Sequence, residues 1–308
     1  MMAPTPHTPL LADLAALIAR HAVLDAPAAQ ALPLVTLVAA SAPTRPFAHV
    51  YEPMIALVVQ GSKRVGLGDK VLDYGPGRYL IVPVDLPVDS SVVQATREAP
   101  FLGLGFTLRP EAIASLLLEA PLAHASGSAP AGIALGELSA DLLDPLLRLA
   151  RLLDRPADVP ALLSVIEREI LWRLLNGPQG DMVRQVGTAN SHTTHIGRAV
   201  QWLRTHYAEV MRVDALAAIA GMSVTSFHRH FRAVTSMTPV QYQKQIRLQV
   251  ARSRLLMAAD DVASIGFSVG YESPSQFSRE YRRQFGRPPG LDASYLRQAG
   301  AAAEGPAV

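Results

Sequence analysis

Residues 213–239 (VDALAAIAGMSVTSFHRHFRAVTSMTP) and residues 263–289 (ASIGFSVGYESPSQFSREYRRQFGRPP) carry the same pattern at an offset of fifty residues. Ser223 falls on Ser273, Phe227 on Phe277, Arg229 on Arg279, Phe231 on Tyr281, Arg232 on Arg282 and Pro239 on Pro289, with Ile219 set against Val269. Each copy reads as a short helix, a small-residue turn, a serine, and a second helix with aromatics four apart. In the first copy Asp214 is expected to cap a helix through Leu216, Ile219 and Ala220, and Gly221 supplies the turn. Ser223 caps the next helix, whose Phe227 and Phe231 share a face and pack inward, leaving Thr225, His228, Arg229 and Arg232 outward. In the second copy Gly270 precedes the turn and Ser273 caps, with Pro274 at the helical position that best tolerates proline. Phe277 and Tyr281 pack inward there, and Ser275, Gln276, Ser278 and Arg279 are left outward.

An exposed helix bearing Ser, Gln, His and Arg after a short turn suits the major groove, because these side chains match base-edge donors and acceptors. One copy alone is a common helix pair; two in register point to DNA. Between them, residues 240–257 read as one helix with Leu248, Ala251 and Leu255 on a common face and Lys244, Arg247, Arg252 and Arg254 elsewhere. A continuous helix fixes the distance between the units, so one chain is expected to span two successive major-groove segments about 34 Å apart. Arg279 is expected to discriminate bases, and Arg252, if it touches only phosphate, to favour all sequences alike.

Charge agrees. Residues 190–298 hold 14 Lys and Arg against 7 Asp and Glu, a balance of +7, and the rest of the chain holds 14 against 19, a balance of −5. Only the C-terminal part is therefore suited to a polyanion. The chain has no cysteine, which excludes disulfides and thiolate chemistry and fits a reducing compartment. Its N-terminal apolar stretch is broken by Asp13 and Arg20 with no basic segment before it, so no export signal is expected, and no run is long enough for a membrane helix. The expectation is a cytoplasmic protein with no membrane partner.

Upstream, residues 54–60, 71–74, 79–82 and 101–108 are short β-type runs between glycines and prolines, the pattern of a small antiparallel sheet or barrel. From Pro110 the period turns helical, over residues 112–119, 138–153 and 161–175. Leu162, Val165, Ile166, Ile170 and Leu174 form an apolar stripe beside Glu167 and Glu169, suited to the barrel or to a second copy. The expected fold class is α+β. The division is residues 1–176 as a barrel with appended helices, 177–194 as a polar linker, 195–298 as an all-α DNA-binding domain and 299–308 as a disordered tail.

The stretch ASIGFSVGYESPSQFSREYRRQFGRPP resembles the signature of the AraC/XylS family of bacterial transcription regulators, and the likeness extends over residues 196–297. It implies that Thr225, His228 and Arg229, and in the second unit Ser275, Gln276, Ser278 and Arg279, are base-contacting positions on promoter DNA. Ser236 departs from the pattern by standing where glycine is usual. More loosely, YEPMIALVVQGSKRVGLGDKVLDYGPGRYLIVPVDLPV is similar to a cupin-like sensor domain found in part of that family. This implies a small-molecule effector in the barrel, helices used in a homodimer, and RNA polymerase as a partner if the outcome is activation.

Tyr51, Gln60, Lys63, Arg64, Tyr74 and Tyr79 supply polar and aromatic groups to the barrel, of which Tyr51, Gln60, Tyr74 and Tyr79 are the candidate effector-binding residues; the alternative is that Tyr74 and Tyr79 are strand packing and Lys63 and Arg64 a solvated hairpin. GLGD and GPG are read as hairpin turns, since no strand-turn-helix context surrounds them. No histidine occurs between His49 and His124, so the barrel lacks the ligand set of a metal-dependent cupin enzyme, and neither metal nor cofactor is expected. His228 and His230 point to different faces of a helix, and His192 with His195 is a weak motif. Trp202 and Tyr207 are assigned to packing. The rival readings are a cupin-type enzyme localised by its helical part and an architectural protein with little sequence preference.

Overall fold

A computed structural model of the chain describes residues 8–119, 132–188, 191–257 and 261–295. The expected tail at 299–308 lies outside them. The chain divides into two compact units, one of residues up to Gly197 with Arg229–Ser236, the other of Arg198–His228 and the residues from Met237 onward.

The first unit opens with helix α1 (Thr8–His21), which turns the N-terminal apolar stretch into core: Leu14, Leu17 and Ile18 are buried. Among the described residues ten strands follow: β1 (Ala29–Leu32), β2 (Val35–Ala40), β3 (Phe47–Tyr51), β4 (Met54–Gln60), β5 (Ser62–Leu67), β6 (Lys70–Tyr74), β7 (Arg78–Val82), β8 (Leu86–Gln94), β9 (Phe101–Thr107) and β10 (Ala134–Glu137). They make a six-stranded sheet in the order β1-β2-β9-β4-β7-β10 and a four-stranded sheet in the order β3-β8-β5-β6, with every pairing antiparallel.

Alternation decides the faces. Val35 and Leu37, Ile55 and Leu57, Tyr79 and Ile81, and Leu102, Leu104 and Phe106 point to the side of the larger sheet that helices cover. Their neighbours Ala56, Val58, Leu80, Val82 and Phe101 are buried too, on the side turned toward the smaller sheet, whose own Val65, Leu67, Leu86 and Val88 are buried. Two sheets closed over each other leave both faces of the larger one dry, which is why β4 reads as an unbroken apolar run. The GLGD turn closes the β5–β6 hairpin as expected. GPG, in contrast, carries the chain from the smaller sheet to the larger, with Gly77 at φ +81°.

The covering helices are α2 (Pro110–Glu119), α3 (Ala140–Arg151), α4 (Val159–Leu175) and α5 (Gly180–Gly187). Ser139 caps α3 by accepting from the Leu142 N–H. In α4 the expected stripe divides: Ile166, Ile170 and Leu174 are buried in the core, whereas Leu162 and Val165 are 43% and 60% exposed. Glu167 is buried and is held by Arg109, whose guanidinium donates to both carboxylate oxygens. Within the stretch read as a linker, α5 sends Met182, Val183 and Val186 into the same core. The polar flanks of that stretch conceal a helix.

Six helices complete the described chain: α6 (His192–Thr205), α7 (Val213–Ile219), α8 (Val224–Thr235), α9 (Pro239–Met257), α10 (Val262–Ser268) and α11 (Pro274–Phe285). Around α9 a second core gathers Leu248, Ala251, Leu255, Ile265, Val269, Phe277 and Tyr281. Among the described residues no helix is long and apolar enough to cross a membrane.

Candidate nucleic-acid interface

The duplicated phrase becomes two helix-turn-helix units, α7 with α8 and α10 with α11. α7 and α10 lie 49 residues apart, α8 and α11 50 apart, so the second turn is one residue longer. This corrects the pairing of Ile219 with Val269. The buried partner of Val269 is Ala220, as Leu216 is that of Ile265. Both first helices end alike: Gly221 N–H donates to Ala218 O and Met222 N–H to Ala217 O, and Gly270 donates to Phe267 O while Tyr271 donates to Gly266 O. That pair of hydrogen bonds requires a left-handed residue, which the glycines supply at φ +63° and +90°. Asp214 is not the expected cap. It lies in the first turn of α7, where Arg212 stands at the cap position and pairs with its carboxylate.

Each second helix starts on a serine whose Oγ accepts a backbone N–H three residues on, Ser226 for Ser223 and Gln276 for Ser273. The aromatics then do what their spacing dictates: Phe227, Phe231, Phe277 and Tyr281 are all fully buried. Rotation by about 100° per residue puts the intervening positions outside. Thr225, His228, Arg229 and Arg232 are exposed on α8, and Ser275, Gln276 and Arg279 on α11 with Ser278 half-buried. The structure adds Val224 at the start of α8 and Arg282 and Arg283 on α11, all exposed. Each helix therefore offers polar and cationic side chains along a solvent face, with its apolar face locked in a core.

The linking helix α9 begins on a reciprocal cap, Thr238 Oγ1 accepting from Gln241 N–H and Gln241 Oε1 accepting from Thr238 N–H. Its cations are engaged inside the fold. Arg252 is not the phosphate anchor expected of it: only 11% of its side chain is exposed, Nε donates to Asp292 Oδ2 at 3.0 Å, and its guanidinium lies over the Phe285 ring. Tyr281 donates to the same Asp292 oxygen at 2.9 Å, and burial, then that carboxylate, drive its phenol pKa above the usual value. Lys244 pairs with Glu280, which also accepts from Tyr271 OH. Arg254 donates to Ser268 Oγ and Tyr207 OH. Of these α9 cations Arg254 is exposed though hydrogen-bonded within the fold, whereas α8 and α11 carry Arg229, Arg232, Arg279, Arg282 and Arg283 on their solvent faces.

His230 is not a partner for His228. It stacks on His192 with ring centroids 3.6 Å apart, and burial, followed by His192 and Arg229, lowers its pKa. Trp202, read as a core residue, is half-buried and stacks on His206 with ring centroids 4.4 Å apart. Among the described residues no three His, Asp or Glu side chains gather as metal ligands would.

Comparison with known proteins decides the family. Residues 31–182 match the AraC-type transcriptional regulator N-terminus and residues 216–291 match a helix-turn-helix domain. The regulatory protein SoxS of Salmonella typhimurium is 33% identical over 99 residues, 32% of this chain and 92% of that protein. The chain belongs to the AraC family of transcriptional regulators. The activator RhaS of Escherichia fergusonii is 33% identical over 137 residues, covering 42% of this chain and 49% of RhaS, so the chain spans about half the length of such relatives. ToxT of Vibrio cholerae O395, solved with (E)-4-(8-methylnaphthalen-1-yl)but-3-enoic acid, shares the fold at a TM-score of 0.55 and 8% identity, over 85% of this chain and 98% of that one. AraC-type helix-turn-helix domains bind DNA and the relatives are regulators, so the comparisons give the enzyme alternative no support.

In the AraC-type N-terminal unit the four candidate effector residues part company. Tyr79 belongs to the helix-covered core on the far side of the larger sheet, its ring lying where a Gly136 Cβ would be. Gln60, at the end of β4, donates to Pro100 O. Tyr51 and Tyr74 do come together on the inner face of the smaller sheet, where burial first and Tyr51 second raise the Tyr74 pKa. Alternation also separates the two basic residues of β5. Arg64 is outside, forked onto Asp73, whereas Lys63 turns inward and donates to Tyr51 OH at 2.7 Å. His49 packs edge-on against Tyr51, and burial, then the Lys63 charge, lower its pKa to about 4. The solvated-hairpin reading therefore holds for Arg64 and fails for Lys63, whose odd position, shared with buried Val65 and Leu67, is the signal that separates the two.

Proposed function

We propose that this regulator reads a two-part promoter site through the solvent faces of α8 and α11, and that the barrel unit controls this reading in response to a small molecule. The observation that supports it best is the paired exposure of Thr225, His228, Arg229 and Arg232 on one helix and of Ser275, Gln276 and Arg279, with half-buried Ser278 among them, on its counterpart, each beside a buried aromatic pair. Arg279 and Arg229 have the reach for guanine, Gln276 suits adenine, and Arg232, Arg282 and Arg283 suit flanking phosphates.

The effector site proposed is the inner face of the smaller sheet, around Lys63, Tyr51, Tyr74 and His49. The Lys63 ammonium, turned inward beside the Tyr51 hydroxyl, favours an effector carrying an anionic group. An effector acts only if it binds DNA-competent and incompetent arrangements with different affinity. RNA polymerase is the further partner that transcriptional activation, the role RhaS is named for, requires. For a second copy of the chain the exposed side of α4, with Leu162, Val165 and Trp172, is the proposed face. Residues 195–298 are proposed as the DNA-binding domain within a cytoplasmic protein.

Selection of bound duplexes from a random pool by the full-length protein tests the DNA reading. Two enriched motifs about one helical turn apart are expected, and Arg279→Ala should relax one base position at a cost of about 1–3 kcal/mol. A pool that stays random, or an Arg279→Ala loss spread evenly over all sequences, contradicts it.

A further inference from the structure

Arg247, half-buried in the middle of α9, spends its guanidinium on backbone carbonyls from two separate places. Nε donates to Tyr207 O at 2.6 Å, Nη2 to Ala208 O at 3.3 Å and Glu209 O at 2.9 Å, and Nη1 to Gly270 O at 2.8 Å. Residues 207–209 follow α6 and lead into α7, and Gly270 is the turn between α10 and α11. One planar fork therefore joins the loop that enters the first helix-turn-helix unit to the turn inside the second.

Two further features tighten the same junction. Gln243, one turn earlier on α9, donates to Tyr207 O at 3.0 Å and Glu209 O at 2.8 Å. Gly270, at φ +90°, lets the two backbones touch: a Cβ there would stand 2.2 Å from Ala208 O. Lysine cannot reproduce the fork, because an ammonium is a point charge on a flexible stem. An arginine committed to carbonyls in this way is not available to DNA, so its contribution is to geometry.

We infer that Arg247 is a positioning residue that locks the two helix-turn-helix units at one separation, so that the protein accepts operators with a single spacing between their two motifs. The inference rests on the DNA reading proposed above. Inserting one base pair moves the second motif by about 3.4 Å and turns it by about 34° around the duplex, which a hinged protein could follow and a clamped one cannot.

The test is selection from a random duplex pool with full-length wild type, Arg247→Lys, which keeps the charge and loses the fork, and Arg247→Met, with far-UV circular dichroism to verify folding. Wild type is expected to enrich one motif separation and to lose about 30-fold or more in affinity when a base pair is inserted, the scale of one lost base contact. The variants are expected to enrich several separations, or one motif alone, and to lose less than about 3-fold on insertion. If Arg247→Met does not fold, Arg247→Lys decides. Folded variants that keep the single separation and the full insertion penalty overturn the inference, as does a wild type that enriches several separations. A wild type that enriches no motif defeats the underlying DNA reading instead, and the two failures are distinct.

Discussion

Ser236 occupies a left-handed backbone position at φ +59°, fifty residues before Gly286 at φ +77°. The resemblance marked Ser236 as a departure from glycine, and the structure gives the reason for the preference: a Cβ in this region is strained whatever its surroundings. Ser236→Gly is expected to raise the unfolding free energy by about 0.5–1 kcal/mol in chemical denaturation. Gly286→Ser, with no atom within 4 Å of the Cβ position, should lower it by about as much. No change in either variant would show that the backbone relaxes. His49 makes a second residue-scale claim. The unfolded chain takes up this proton near pH 6.5 and the folded chain only near 4, so the contribution of His49 to stability is complete above about pH 6.5 and declines as the pH falls toward 4. His49→Gln should flatten the acid limb of a stability-against-pH curve. An unaltered limb would mean that His49 titrates normally.

At the scale of elements, the buried Arg252–Asp292–Tyr281 group ties α9 to α11 and to the segment after it. Arg252→Ala leaves a carboxylate buried without its cation, and should cost about 3–5 kcal/mol of unfolding free energy, read as a large fall in melting temperature. A variant of normal stability with weakened binding to every duplex would restore the phosphate role. This also marks the limit of what the sequence displayed. Four strands and three helices announced themselves by period, and so did both recognition helices, because buried aromatics four apart leave no choice of face. β8 was hidden by Pro87 and a polar centre, DSS, and α5 by the glycines around it. The partners of Arg247 and Arg252 lie up to 40 residues away in the chain, and no local pattern distinguishes a cation aimed at a carbonyl from one aimed at a phosphate.

For the whole molecule, the charge division gave the assignment of labour: a basic helical part and an acidic barrel part, each with its own core. Family membership agrees with that division, and the duplicated helix-turn-helix gives it a mechanism in which two exposed faces act on one duplex. Phosphate contacts alone would bind any DNA, with affinity falling steeply as salt rises, so they cannot separate a regulator from an architectural protein. Base contacts can. The decisive measurement is the affinity of the full-length protein for its selected site relative to a random duplex of equal length, across a series of salt concentrations. A ratio of about 10³ or more that survives as salt rises is predicted by the two reading helices. A ratio near one at every salt concentration would contradict sequence-specific reading and leave only non-specific attraction to the phosphate backbone.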